Sequence, residues 1–212
     1  MGKFQKGILG GFQGRIGNVV GASWKGIDYM KSRNRKSSKP PTRKQIEQQA
    51  KFTLLIGFVS SIGKLLMLGF KDTAIKMTGI NSAFAYNYDN ALTGVYPFYA
   101  LDYGKVLISK GQLHNVDNPS AAAAGNGQVR FSWTDNSGIA MANATDKCMV
   151  VVYCPELKRS VYITGGADRR ASAESIDATA FTGKTVETWV GFSAADDSEI
   201  ATSIYTGQLT VL

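Results

Sequence analysis

The sequence predicts an α+β protein: a basic, glycine-rich hairpin and a helical part, followed by an antiparallel β-sandwich. Three observations predict it. Apolar residues recur at helical spacing over roughly residues 43–92, short β-like runs separated by turn residues fill roughly 98–211, and positive charge is concentrated towards the N-terminus. The composition shift after Gly94 divides the chain into an expected residues 1–95 and an expected residues 96–212. A length of 212 residues with 44% hydrophobic content is enough to build a core.

The elements follow in order. Gly7, Gly10, Gly14, Gly17 and Gly21 punctuate the first thirty residues. Each opposes a helix by about 1 kcal/mol, and the β-branched residues between them favour strands. Two short strands are expected, 15–20 and 23–30, with a turn near Gly21. An isolated hairpin is marginal in water, so a neighbour, such as another subunit, is expected to cover it. Residues 31–44 read KSRNRKSSKPPTRK, an extended arm stiffened by Pro40-Pro41. Thr42 and Gln45 fit a capping box, and Ile46, Ala50, Leu54, Phe58, Ile62 and Leu66 recur every fourth residue. The pattern predicts a helix over about 43–68, capped by Gly69. Met77, Ile80, Phe84, Tyr88 and Leu92 predict a second helix over about 72–92. Strands are expected at 98–101, 105–109, 128–134, 147–154, 159–164, 185–193 and 203–211, which suits a sandwich or barrel. Residues 114–127, small and polar, are expected to form a linker or a long loop crossing a sheet edge.

Charge points to partners. Residues 1–76 hold 15 Lys or Arg against 3 acids, a net +12, whereas residues 77–212 carry −4. Such asymmetry suits contact with an anion: nucleic acid, a membrane surface or an acidic protein face. The expected polyanion-binding residues are Lys25, Lys31, Arg33, Arg35, Lys36, Lys39, Arg43 and Lys44. The expected assembly residues are Phe12, Ile16, Trp24 and Tyr29, apolar positions that a short hairpin cannot bury by itself. Trp24 and Tyr29 interleave with Lys25 and Lys31, the mix that single-strand binders use for stacking on bases. The alternative for Trp24 is a place in a core or a protein interface.

The search for chemistry predicts no enzyme, no cofactor and no metal site. His114 is the one histidine, and two cysteines do not complete a zinc set. Cys148 and Cys154 would lie roughly 20 Å apart on one straight strand, beyond disulfide reach. No G-x-S-x-G occurs. Gly21 to Gly26 has the spacing of a phosphate loop but is followed by Ile27 where Lys is required. Asp196, Asp197 and Glu199 read as turn residues first. No signal peptide or membrane span is expected, and the expected setting is cytoplasm or virion.

The stretches GKFQKGILGGFQGRIGNVVGASWKGIDYMKS and PPTRKQIEQQAKF resemble the start of a family of Bacteroidota proteins, some phage or prophage encoded, known as a domain of unknown function. The resemblance continues through LDYGKVLISKGQL and VRFSWTDNSG and implies no mechanism. The C-terminal half also resembles a fibronectin type III or immunoglobulin-like sandwich, with Trp133 as its core Trp, Tyr153 on a later strand, and TVETWVGFSA and TSIYTGQLTV as the final strand pair. Fold does not decide function. The expected function is that of a non-enzymatic structural or assembly protein, possessing homo-oligomeric or larger protein contacts and including a phage virion component among its settings. The alternatives are a sequence-nonspecific nucleic-acid-binding protein and a surface adhesion module.

Overall fold

The structure, a computed structural model, describes residues 2–4, 11–24, 26–34 and 38–212. The chain separates into two compact units, residues 1–42 and residues 43–212. The composition shift near residue 95 falls inside the second unit.

The first unit is an antiparallel sheet of β1 (Lys3–Phe4), β2 (Phe12–Ile16), β3 (Val19–Trp24) and β4 (Ile27–Ser32), in that order. This corrects the expected pair of strands. The turns sit at Gly17-Asn18 and at Gly26, not at Gly21. Gly17 (φ +59°) and Gly26 (φ +81°) adopt the left-handed backbone that tight hairpin turns require. Gly21 lies mid-strand for a different reason. A Cβ there would come within 2.0 Å of the Phe12 carbonyl oxygen and 2.7 Å of the Phe12 ring. The expected arm 31–44 is shorter at both ends, because Lys31 and Ser32 belong to β4 and Arg43 and Lys44 begin a helix.

The second unit opens with α1 (Arg43–Ser61), α2 (Gly63–Gly69) and α3 (Gly79–Asn90). The single helix expected over 43–68 is two, bent by 86° at Ile62. Ser61 Oγ donates to the Phe58 carbonyl at 2.7 Å, and Gly63 follows the break. Both features weaken the helical ladder there. The bend lays Leu55, Phe58 and Val59 of α1 and Leu65 and Leu66 of α2 against one apolar surface. The second expected helix starts later, at Gly79, where Thr78 Oγ1 accepts the Asn81 N–H at 3.2 Å. No single helix among the described residues is long and apolar enough to cross a membrane. Helices α1 and α2 meet that measure only as the bent pair, and their apolar face is core. Gly69, the last residue of α2, has no room for a side chain because the chain around Ile108 passes close: a Cβ would lie 2.5 Å from the Ile108 carbonyl oxygen, and Lys110 N–H donates to the Gly69 carbonyl at 2.8 Å.

A short hairpin follows, β5 (Leu92–Val95) and β6 (Phe98–Leu101), with a cis bond at Tyr96-Pro97. The strand expected at 105–109 is instead a 3-10 turn, Tyr103–Lys105, leading into irregular chain.

The sandwich consists of β7 (Asp117–Gly125), β8 (Gln128–Thr134), β9 (Lys147–Cys154), β10 (Arg159–Ile163), β11 (Ala173–Asp177), β12 (Thr185–Ser193) and β13 (Ile204–Thr210). Two antiparallel sheets form, β11-β8-β7 and β10-β9-β12-β13, an immunoglobulin or fibronectin type III-like arrangement within an α+β fold. The expected linker 114–127 is corrected: most of it is β7, an edge strand paired with β8.

Strand β9 explains the layering. Its even-numbered residues Cys148, Val150, Val152 and Cys154 face the sandwich interior with Phe131, Trp133 and Phe192. Its odd-numbered residues Met149, Val151 and Tyr153 face the helices with Phe58 and Trp189. A strand buried on both faces reads as a continuous apolar run, as KCMVVVYC does. The second unit therefore has three layers, helices, central sheet and outer sheet, with two cores between them.

Candidate interaction site

The N-terminal unit carries the charge of the whole chain. Residues 1–42 contain nine Lys or Arg and one acid, Asp28, a net +8. Residues 43–212 contain fifteen of each sign and are neutral. Among the described residues of this unit only Gly21 is buried.

Cross-strand pairing sorts its side chains. Directly opposed residues of an antiparallel pair project to the same side. Trp24 opposes Ile27, Ala22 opposes Tyr29, Val20 opposes Lys31, and Arg15 opposes Val20. One face thus gathers Trp24, Ile27, Tyr29, Lys31 and Arg15. The other gathers Ile16, Val19, Gly21, Asp28 and Met30, with the half-buried Phe12 packed over Gly21. The four expected assembly residues are therefore divided: Phe12 and Ile16 on one face, Trp24 and Tyr29 on the other. Trp24 is 51% exposed, Ile27 67% and Met30 72%.

The expected polyanion-binding residues are divided as well. Lys31 ends β4, and Arg33 extends the ladder by donating its N–H to the Asn18 carbonyl at 2.9 Å. Lys39 is exposed in the chain leading to α1. Arg43 and Lys44 belong to the second unit, and Arg43 Nε pairs with Glu47 Oε1 at 3.2 Å. The sequence around 31–44 has no acid, but one helical turn supplies one at i+4. Lys25, Arg35 and Lys36 lie outside the described residues.

The second unit holds clusters that sequence reasoning misses. A bulge in the β12–β13 pairing places Tyr205 beside Trp189 and Gln208 beside Glu187. Both partners then reach the buried Glu187 carboxylate, which accepts from the Tyr205 hydroxyl and, at 2.8 Å, from Gln208 Nε2. Burial, then Tyr153 and Glu187, push the nearby Tyr103 hydroxyl well above its ordinary range. Burial and the same Glu187 raise Tyr205 too. Both hydroxyls stay protonated at neutral pH, and that of Tyr205 donates to Glu187. A cleft of about 540 Å³ opens beside them, lined by Tyr96, Tyr99, Tyr103, Tyr153 and Lys158. A more apolar groove of about 610 Å³ runs between α1 and α3, past Phe52, Phe84 and Tyr88. Val95 and Phe98, at the tip of the β5–β6 hairpin, are largely exposed.

The cysteines are free and buried on the sandwich side of β9. Burial, followed by the neighbouring Glu174, pushes the Cys148 thiol up, so it is poorly suited to nucleophilic work. His114 contributes its backbone carbonyl, which accepts from Arg169 Nη2 at 2.8 Å. Asp196 closes a turn, accepting the Ser198 N–H at 2.9 Å.

Fold and surface define a class: a fibronectin type III-like sandwich, backed by a helical layer, in a chain that also has a separate, strongly basic N-terminal unit. The chain belongs to a family of unknown function, DUF6266, whose family model matches residues 11–207. No curated protein matches it. Among solved structures, the fibronectin type III domain of the human collagen alpha-1(XX) chain aligns at 13% identity, covering 49% of this chain and 90% of that one, with a TM-score of 0.36.

Proposed function

We propose that the protein is a non-enzymatic structural or assembly component, a phage virion or prophage protein among its settings, which docks through its N-terminal unit. One observation carries this reading: the N-terminal unit, residues 1–42, holds the chain's entire net charge, and its sheet exposes Ile16, Val19, Trp24, Ile27, Tyr29 and Met30. Exposed apolar side chains on both faces of one sheet favour association, because covering them removes apolar area from water at about 25 cal/mol per Å². The order β1-β2-β3-β4 leaves β4 as an edge, a further place for a strand to add. The apolar groove on α1 and α3 and the tip at Phe98 offer second contacts of the same kind. The neutral second unit suits a role as a rigid body carried by the first.

The test is light scattering of the intact chain across micromolar concentrations, beside a variant with Val19→Glu and Met30→Glu. Both positions lie on one face of the sheet, so the paired charges oppose its burial. Association by the wild type and a monomeric variant are expected. A wild type that stays monomeric throughout, without a partner, removes self-assembly from the reading.

A further inference from the structure

We infer that the Trp24–Tyr29 face of the N-terminal sheet is a binding platform for single-stranded nucleic acid. This deepens the proposed docking role of the N-terminal unit and rests on it. The pairing register places two exposed aromatic rings and two cations, Arg15 and Lys31, on the same side of three adjacent strands. The unit's one acid, Asp28, projects from the opposite side, opposed to Ser23. No carboxylate of the unit therefore repels a phosphate on this face.

The spacing suits the ligand. Trp24 and Tyr29 are diagonal neighbours, about 7–8 Å apart across the β3–β4 pair. Tyr29 and Lys31 are separated by about 7 Å along β4. Flat rings at that interval accept successive unstacked bases, while flanking cations follow the backbone phosphates. A duplex hides its base faces in its own stack, so exposed rings add nothing to duplex binding. A protein partner would gain from the apolar face of Ile16, Val19 and Met30, but the cations beside Trp24 would then need buried acids opposite them. A net +8 over 42 residues points to a partner of dense negative charge.

Trp24 also supplies the readout. The other tryptophans, Trp133 (5% exposed) and Trp189 (0%), are buried, so quenching by added bases reports on Trp24. The experiment titrates intact protein into an end-labelled oligothymidylate of about a dozen nucleotides, and separately into labelled heparin, a polyanion without bases; the anisotropy of the label gives the affinity of every variant, and quenching adds the stacking signature wherever Trp24 is present. Trp24→Ala, Trp24→Phe and the pair Arg15→Ala/Lys31→Ala are compared. Oligothymidylate is expected to quench the fluorescence. Trp24→Ala is expected to weaken its binding by about 5- to 150-fold, the worth of one stacked base, and to leave heparin binding unchanged. Trp24→Phe should restore most of the loss. Removing both cations should weaken both ligands and lower the salt slope for oligothymidylate by about 1.4. Equal binding of the oligonucleotide by wild type and Trp24→Ala overturns the platform, leaving plain charge attraction. Failure to bind either polyanion by a chain that still self-associates also overturns it, and leaves the assembly reading standing. Quenched, Trp24-dependent binding by a strictly monomeric chain supports the platform and removes self-assembly instead.

Discussion

Arg169 and Asp146 form a fully buried ion pair, Nη2 to Oδ2 at 3.0 Å, with neither side chain more than 1% exposed. The guanidinium also donates to Asn136 Oδ1 and to the His114 carbonyl, both at 2.8 Å, and lies 4.7 Å from the Phe192 ring centre. Asp146 Oδ2 further accepts the Asn143 N–H at 2.9 Å. Trp133 Nε1 closes the network by donating to the Arg169 carbonyl at 2.7 Å. One side chain thus ties three loops together at one end of the sandwich.

Breaking that pair from one side leaves a charge buried without its partner. Arg169→Met should cost about 3–5 kcal/mol in urea denaturation. Arg169→Met combined with Asp146→Asn should cost less than the sum of the single changes, since the orphaned carboxylate is then gone. Additive losses would mean that the two residues do not act as a unit.

A second expectation concerns cooperativity. Phe58 of α1 is fully buried, edge-on to Tyr153 at 5.0 Å and 5.6 Å from Trp189. These contacts make the outer face of the central sheet depend on the helices. Phe58→Ala should cost about 3–5 kcal/mol. Far-ultraviolet helix signal and the fluorescence of buried Trp189 should still be lost in one transition. Separate transitions would show that the helical layer is not part of the sandwich's cooperative unit.

The parts legible in the sequence are those where local pattern and tertiary role agree. VRFSWT alternates because β8 is buried on one face, and KCMVVVYC does not because β9 is buried on both. The run Ala121–Ala124 carries no strand signal, as alanine has low β propensity, yet pairing with β8 imposes one. The bend at Ile62 is silent because Ile62 and Leu66 keep the four-residue stripe across it. Arg169 and Asp146 are 23 positions apart in loops, where periodicity says nothing. At the candidate site, the interleaving of Trp24, Tyr29 and Lys31 with other residues is legible. The division between faces is not, because it depends on the turn lying at Gly26 and not at Gly21. Moving a hairpin turn changes the register, and each one-residue step exchanges the faces.

The last expectation is the direction of acid lability. Asp168 is held below the ordinary carboxylate range first by its hydrogen bond from Lys147 Nζ, at 2.6 Å, and further by Arg170. Asp177 is lowered by the Thr179 hydroxyl and N–H, at 2.7 and 2.9 Å, and Asp135 by Ser137. Each favours the ionised carboxylate in the folded state relative to the unfolded chain. Their stabilisation is therefore fully present above the unfolded value of about 3.9, and it disappears as pH falls through the lower folded values. These groups should give the urea midpoint no pH dependence near neutrality, where their stabilisation is complete, and the midpoint should drop as pH falls from about 4 towards 2. Asp168→Asn should lower the midpoint at neutral pH, because the charged partner of Lys147 is gone. It should also flatten the acid decline, because one of the groups that takes up a proton on unfolding is missing. A variant whose midpoint falls with acid as steeply as the wild type would exclude Asp168 from that response.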